Sequence, residues 1–239
     1  PQVFHLGLTL PASDPQWLSG FASGLRAAAH ECGLALLGGD TTRGPVCVIS
    51  IAVQGWLPVD PLKPSGNAGL YRHGARVDDD IWVSGVIGKA ALALPLVLAD
   101  PACSEGLAHQ YYFPQPRLAL GIGLRSLATA AMDISDGLVQ DAGHIARASQ
   151  LDLILQCEQI PTASSMIGNQ DWQRCLAGGD DYELLFCAPP TERDNILRLG
   201  QDLGIPCTRI GYCQPGNGNV QCRLNDQVQS LSEQGFSHF

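Results

Sequence analysis

The apolar positions along the chain recur with two periods. Trp17, Phe21, Leu25 and Ala29 follow Ser13-Asp14-Pro15 four residues apart, which predicts a capped amphipathic helix that stops at Gly33. Residues 34–37 predict a short buried strand and residues 46–57 a longer one rich in β-branched side chains, with a polar, glycine-bearing loop at 38–45 between them. Pro58, Pro61, Pro64, Gly66 and Gly69 give the next stretch the composition of a linker and place a domain boundary there. Beyond it, strands are predicted at 81–86, 130–134, 151–157 and 182–188, with two weaker ones near 207–212 and 220–224. Helices are predicted at 89–99, 117–129, 138–148 and 191–203; in the third, Leu138, Ala142, Ile145 and Ala148 share one face. Alternating strands and helices favour an α/β domain with helices packed on a sheet.

Composition narrows the class. The 239 residues are 45% hydrophobic and 15% charged, enough for an ordinary folded core and too apolar for wholesale disorder. The most apolar run, 90–99, is ten residues long and is interrupted by Pro95. A membrane helix needs roughly 18 to 20, so no bilayer partner is expected. A net charge of −9, from 14 basic and 23 acidic side chains, argues against a nucleic-acid partner. Nine cysteines without a Cys-x-x-Cys pair read as small buried hydrophobes in a reducing cytosol, not as a disulfide framework or a zinc site.

Several nucleotide and metal signatures fail. Gly85-Val86-Ile87-Gly88-Lys89-Ala90 is too short for a phosphate-binding P-loop, and Ala90 stands where a hydroxyl would hold Mg²⁺. Gly121-Ile122-Gly123 lies inside a helical pattern and not at a strand-to-helix turn. The six histidines form no zinc-hydrolase pair. What remains is three acidic clusters, each expected at a strand end: Asp40 after Gly38-Gly39, Asp133 and Asp136 around Ser135, and Asp180-Asp181 after Gly178-Gly179. Carboxylates placed beside glycines suit Mg²⁺ carrying phosphate oxygens. For any one cluster a turn residue is as good a reading, and Asp136 before a helix reads by default as an N-cap. The repeat of one placement three times favours a metal–phosphate site.

The segments GGDTTRGP (38–45), MDISDGLVQDAGHIARAS (132–149), AGGDDYELLF (177–186) and GFSHF (235–239) closely resemble the thiamine-monophosphate kinase family. That family belongs to the ATP-binding superfamily that includes aminoimidazole ribonucleotide synthetase. The resemblance runs the whole length in the same order. It implies a two-domain fold like that of the synthetase, with an incomplete N-terminal domain, and the phosphorylation of thiamine monophosphate by ATP through direct in-line transfer, with several Mg²⁺ ions. It implies that Gly39 and Asp40 touch ATP and Mg²⁺, that Arg72 and Ser135 meet the nucleotide, and that Asp133 and Asp136 bind Mg²⁺. Asp180 and Phe236 would hold thiamine monophosphate. On this reading residues 1–60 are the remnant of an ATP- and Mg²⁺-binding dimerisation domain, and 70–239 are a C-terminal α/β domain. A cytoplasmic enzyme, homodimeric at full length, would result.

Two departures carry expectations of their own. Family members open with acidic segments that precede the position of Pro1, so the chain is expected to be an N-terminally truncated kinase. Asp78-Asp79-Asp80 replaces the usual glycine-aspartate, which is expected to alter a turn and not the site. A catalytically silent nucleotide-binding fragment, or another ATP-dependent synthetase of the superfamily, stands as the alternative.

Overall fold

The protein, represented by a computed structural model, is described at residues 1–57, 69–103, 105–164 and 169–230. It divides into two units, Pro1–Ala68 and Gly69–Phe239. The proline- and glycine-bearing stretch 58–68 and the terminal 231–239 lie outside the described residues.

The first unit is a three-stranded sheet with one helix. Strand β1 (Val3–Leu10) leads into helix α1 (Pro15–Glu31), which returns the chain to β2 (Ala35–Arg43), and β3 (Val48–Gln54) closes the sheet in the order β2-β1-β3. Asp14 caps α1 as the sequence predicts, its carboxylate accepting from the N–H groups of Gln16 and Trp17 at 2.9 and 3.3 Å. Three expectations fail here. The central strand β1 is absent from the sequence-based reading, and the predicted polar loop after Leu37 is mostly strand: β2 continues to Arg43. Parallel pairing with β1 explains this, because Leu6↔Gly39, Gly7↔Asp40 and Leu8↔Thr41 satisfy a backbone whose side chains carry no strand signal. Gly39 is required there: a Cβ on it would stand 1.8 Å from the carbonyl oxygen of Leu6. The strand expected to be buried, at 34–37, is also exposed at Leu36 and Leu37, as are Val48, Ile49, Ile51 and Val53 of β3.

In the second unit, β4 (Asp80–Ser84), β5 (Ala130–Asp133), β6 (Leu151–Gln156), β7 (Leu184–Ala188), β8 (Cys207–Pro215), β9 (Val220–Leu224) and β10 (Gln227–Gln229) form a seven-stranded sheet. Its order is β10-β9-β6-β8-β4-β7-β5, and every pairing but β6 with β9 is antiparallel. Helices α2 (Lys89–Ala99), α3 (Leu107–Tyr112), α4 (Leu118–Leu124), α5 (Leu138–Ser149), α6 (Gln170–Ala177) and α7 (Arg193–Leu203) complete it. Alternation along the strands divides the core. Ile81, Val83, Leu185 and Cys187 face a cluster with Leu138, Ala142 and Ile145 of α5 and Trp172 and Leu176 of α6. Trp82 and Phe186 face the other side, with Leu120 and Leu124 of α4 and Ile196 of α7. Helices therefore cover both faces, as the α/β reading expects. Helix α4 ends at Leu124, earlier than expected, and α3, α6 and β10 were not predicted.

The three aspartates at the start of β4 take separate roles. Asp78 adopts φ +68°, the left-handed region where a glycine costs nothing. Asp79 accepts from the Thr129 hydroxyl at 2.6 Å and the Arg76 N–H at 2.8 Å. Asp80, 1% exposed, accepts from Arg193 at 2.6 and 2.8 Å and from Arg209 at 2.6 Å. Burial pushes its carboxyl group up, but the two guanidinium groups overcome that and hold it below the ordinary value. The altered turn is thus a left-handed aspartate beside a buried charge cluster. Asp78→Gly should stabilise the protein by about 0.5–1 kcal/mol, since it removes left-handed strain at an exposed residue; urea unfolding of both proteins measures it, and a loss of stability would contradict it.

Candidate functional site

The second unit brings two of the acidic segments together through their backbones. Strand β5 pairs with β7, and Asp133 stands opposite Leu184 at the end of the ladder. Past that point the chains stay joined: Ile134 N–H donates to Glu183 O at 2.8 Å, Tyr182 N–H to Ile134 O at 2.9 Å, and Asp180 N–H to Ser135 O at 3.0 Å. Asp180 and Tyr182 both have positive φ, +64° and +51°. Gly179 permits the approach, because a Cβ there would lie 2.0 Å from the carbonyl oxygen of Ser135. Asp133 and Asp180 are exposed on this double loop, and Ser135 and Asp136 are half-buried. The Tyr182 hydroxyl donates to Asp180 Oδ1 at 3.0 Å.

Asp136 is not the helix cap that its position suggests. The N-cap of α5 is Gly137, with no side-chain cap. The Asp136 N–H instead donates to the carboxylate of Asp141, at 3.1 Å, as does that of Ser135 at 2.9 Å. Asp141 is 1% exposed. Burial raises its pKa, the two N–H bonds lower it, and the nearby Asp136 raises it further. Ligand atoms of Asp136, Asp141 and His144 all lie within 4.8 Å of one another.

On the other side of Asp180, a small depression is bordered by Lys89, Gln115, Arg117, Asp180, Asp181 and Glu183, among others. Asp181 caps α2 from a distance: its carboxylate accepts from the Gly88 N–H at 2.7 Å and the Ala90 N–H at 3.4 Å. Burial nevertheless drives its pKa up to about 7, against the N–H bonds and with the charge of Glu183 adding to the rise. Glu183, 5% exposed, is gripped by Arg117 through bonds of 2.7 and 2.5 Å and receives the Ser84 hydroxyl at 2.5 Å. Ser84 in turn accepts from the Leu184 N–H at 2.8 Å.

Arg72 lies apart from the double loop's tip. With Tyr71, His73, Met132 and Asp133 it borders an open cavity of about 470 Å³, next to the bond from Ala131 N–H to Tyr71 O at 2.9 Å. Gly39 and Asp40 belong to the first unit, where Asp40 sits within β2 and not at a strand end. Its carboxylate accepts from the Thr41 N–H at 2.8 Å. Phe236 lies outside the described residues. Sequence reasoning missed Asp141, Arg117 and the roles of Asp181 and Glu183. One signal was present: Asp141 falls on the apolar face of α5 beside Leu138, Ala142 and Ile145, and a carboxylate there needs partners.

Residues 1–57 match the family described as AIR synthase related protein, N-terminal domain. Thiamine-monophosphate kinase of Haemophilus influenzae is 36% identical over all of this chain and 74% of its own length. The chain belongs to the thiamine-monophosphate kinase family. The corresponding enzyme of Escherichia coli K12 is 33% identical over the whole chain and 74% of its length. The crystal structure of thiamine-monophosphate kinase from Stenotrophomonas maltophilia K279a superposes with a TM-score of 0.80 at 34% identity, covering 96% of this chain and 73% of that one. AaThiL, complexed with AMPPCP and TMP, shares the fold with a TM-score of 0.77 at 24% identity over 100% of this chain and 74% of its own.

The raised pKa of Asp181 has a stability consequence with a definite sign. The folded state keeps a proton that the unfolded carboxyl releases near pH 4, so the contribution is full below about pH 4 and is lost as pH rises through about 7. Asp181→Asn should therefore gain stability relative to the parent between pH 5 and pH 8, by about 1 kcal/mol or more. Denaturant unfolding at both pH values reads this, and an unchanged difference between the two proteins would refute it.

Proposed function

We propose that the chain transfers the γ-phosphoryl group of ATP to thiamine monophosphate, giving thiamine diphosphate. The observation that carries the reading is the double loop, which holds Asp133, Ser135 and Asp136 against Asp180 by three backbone bonds. Family membership supplies the substrates. AaThiL, which shares the fold, is complexed with AMPPCP and TMP, and that supports reading this arrangement as a site for a nucleoside triphosphate and a second phosphorylated substrate.

In this reading Asp133 and Asp136 bind Mg²⁺ and Ser135 and Arg72 contact ATP; Gly39 and Asp40, of the first unit, are assigned to ATP and Mg²⁺ by resemblance alone. Asp180 meets thiamine monophosphate, and Phe236 is assigned to it by resemblance. The donor set suits Mg²⁺: Asp133, Ser135 and Asp136 offer only hard oxygens on a backbone already fixed by hydrogen bonds. Mg²⁺ there would neutralise phosphate charge and hold the transferring group in line. The chain's own task is placement. A phosphate monoester has its second pKa near 6, so the acceptor is largely dianionic at neutral pH and needs no strong base. Asp180 has only to bind and orient it.

Residues 1–60 are read as part of an ATP- and Mg²⁺-binding, dimer-forming domain, and 70–239 as the domain that carries the double loop. The homodimer is read from the resemblance alone; a cytoplasmic location fits all nine cysteines being free, and a net charge of −9 disfavours nucleic acid. Among the described residues no helix is long and apolar enough to cross a membrane.

Asp180→Ala should raise KM for thiamine monophosphate about 10-fold or more and leave KM for ATP within about 2-fold, because the lost contact belongs to one substrate. Asp133→Asn should weaken ATP binding in Mg²⁺ by about 10-fold or more and leave binding in chelator unchanged. Coupled assays and calorimetry measure these values. Equal ATP affinity with Mg²⁺ and with chelator in the parent protein would remove the metal from the reading.

A further inference from the structure

Two consecutive peptide groups of the 133–136 segment are each held at both ends. In the peptide between Ile134 and Ser135, the carbonyl accepts from Tyr182 N–H at 2.9 Å and the N–H donates to Asp141 at 2.9 Å. In the next peptide, between Ser135 and Asp136, the carbonyl accepts from Asp180 N–H at 3.0 Å and the N–H donates to Asp141 at 3.1 Å. One carboxylate oxygen, Asp141 Oδ2, thus anchors both peptides, and each peptide passes the anchorage on to the opposite segment.

We infer that Asp141 is the positioning residue that sets the spacing between the 133–136 loop and the 180–182 loop, and so between the phosphoryl donor and its acceptor. The assignment of substrates to the two loops rests on the kinase reading above. The coupling of the loops through Asp141 does not.

Three observations favour this over an ordinary helix cap. Asp141 lies inside α5, with its own N–H bonded to Gly137 O at 2.9 Å, and its side chain reaches back past the helix start to residues that precede it. Its burial is near complete, on a face otherwise made of Leu138, Ala142 and Ile145. A carboxylate desolvated there is costly unless it does the work of fixing polar groups that have no other partner. Its second oxygen, Oδ1, has no hydrogen-bond partner among the described residues. The side chain is therefore committed on one oxygen to the two loop amides. Hydrogen bonds in series polarise one another, so a carboxyl oxygen accepting at one end strengthens the bonds at the other. Asp180 and Tyr182, both at positive φ, are the residues whose strained conformations those far bonds maintain.

The test is site-resolved amide exchange, followed by steady-state kinetics, on Asp141→Ala, Asp141→Asn and the control Ile145→Ala. Ile145 is a fully buried core residue of the same helix. Asp141→Ala should speed exchange at Ser135, Asp136, Asp180 and Tyr182 together by about 10- to 100-fold beyond its effect on amides of the sheet. Asp141→Asn, which keeps one acceptor oxygen, should restore most of the protection, whereas Ile145→Ala should move the four amides only in step with global stability. In turnover, kcat should fall about 10-fold or more in the alanine variant and recover in the asparagine variant. Asp141→Leu serves where the alanine variant does not fold. Faster exchange confined to Ser135 and Asp136, or the same pattern in Ile145→Ala, would overturn the inference. Absence of kinase turnover in the parent protein would count against the kinase reading for this chain alone and leave the exchange result to decide the coupling.

Discussion

The geometry of the second unit's site depends on the backbone bonds that continue the β5–β7 pairing beyond the sheet. A regular ladder would end at Asp133 and Leu184. Here the two chains remain bonded for several residues more, in a form that requires positive φ at Asp180 and Tyr182 and a glycine at 179. Those conformations are unfavourable alone. They persist because helices cover the sheet on both faces and because the surrounding polar groups over-determine the loop: Arg117 and Ser84 hold Glu183, and Asp181 is tied to the start of α2. The rigid part of the protein stores the strain, and the exposed carboxylates of Asp133 and Asp180 inherit a fixed separation.

Much of this fold was legible from periodicity. Helix α1, with its Asp14 cap, and helices α2 and α5 announced themselves through spacing or apolar runs bounded by glycine. The missed strands share one physical cause, which is pairing that the sequence does not encode locally. The Gly38–Thr42 segment is poor in strand formers and becomes a strand because β1 offers a matching backbone across a βαβ crossover. Helix α4 stops short of its apolar pattern and contains both Gly121 and Gly123, residues that weaken a helix interior by about 1 kcal/mol each.

The site was legible to a lesser depth. Acidic residues beside glycines marked the loops, and the resemblance attached roles to them, but neither reveals which carboxylates are spoken for. Asp181 bonds a helix 91 to 93 residues away in sequence, and Glu183 bonds Ser84 and Arg117 at separations of 99 and 66. Such partners are invisible to any reading of local pattern. The default reading of Asp136 as a cap failed for a related reason: Asp141, five residues on, takes its amide and that of Ser135.

The distribution of charge explains why so acidic a protein can be read as a binder of two phosphorylated substrates. Six acids of the second unit fall into two groups. Asp80 and Glu183 are buried and neutralised by arginines, and the buried Asp141 and half-buried Asp181 are held against backbone amides. Asp133 and Asp180 are exposed. Arg193, Arg209 and Arg117 are consumed by the buried group; among the described residues that border the cavity and the depression, Arg72 and Lys89 are the Lys and Arg side chains left to meet a ligand. Two cations and a rim of carboxylates would repel a nucleoside triphosphate more than attract it. A divalent ion between carboxylate and phosphate reverses that sign, turning each exposed aspartate from a repulsive neighbour into a ligand. Among the described residues few unpaired arginines border the double loop, which is a physical argument that the proposed Mg²⁺, and not the protein's own cations, would carry the charge of the transferring phosphoryl group.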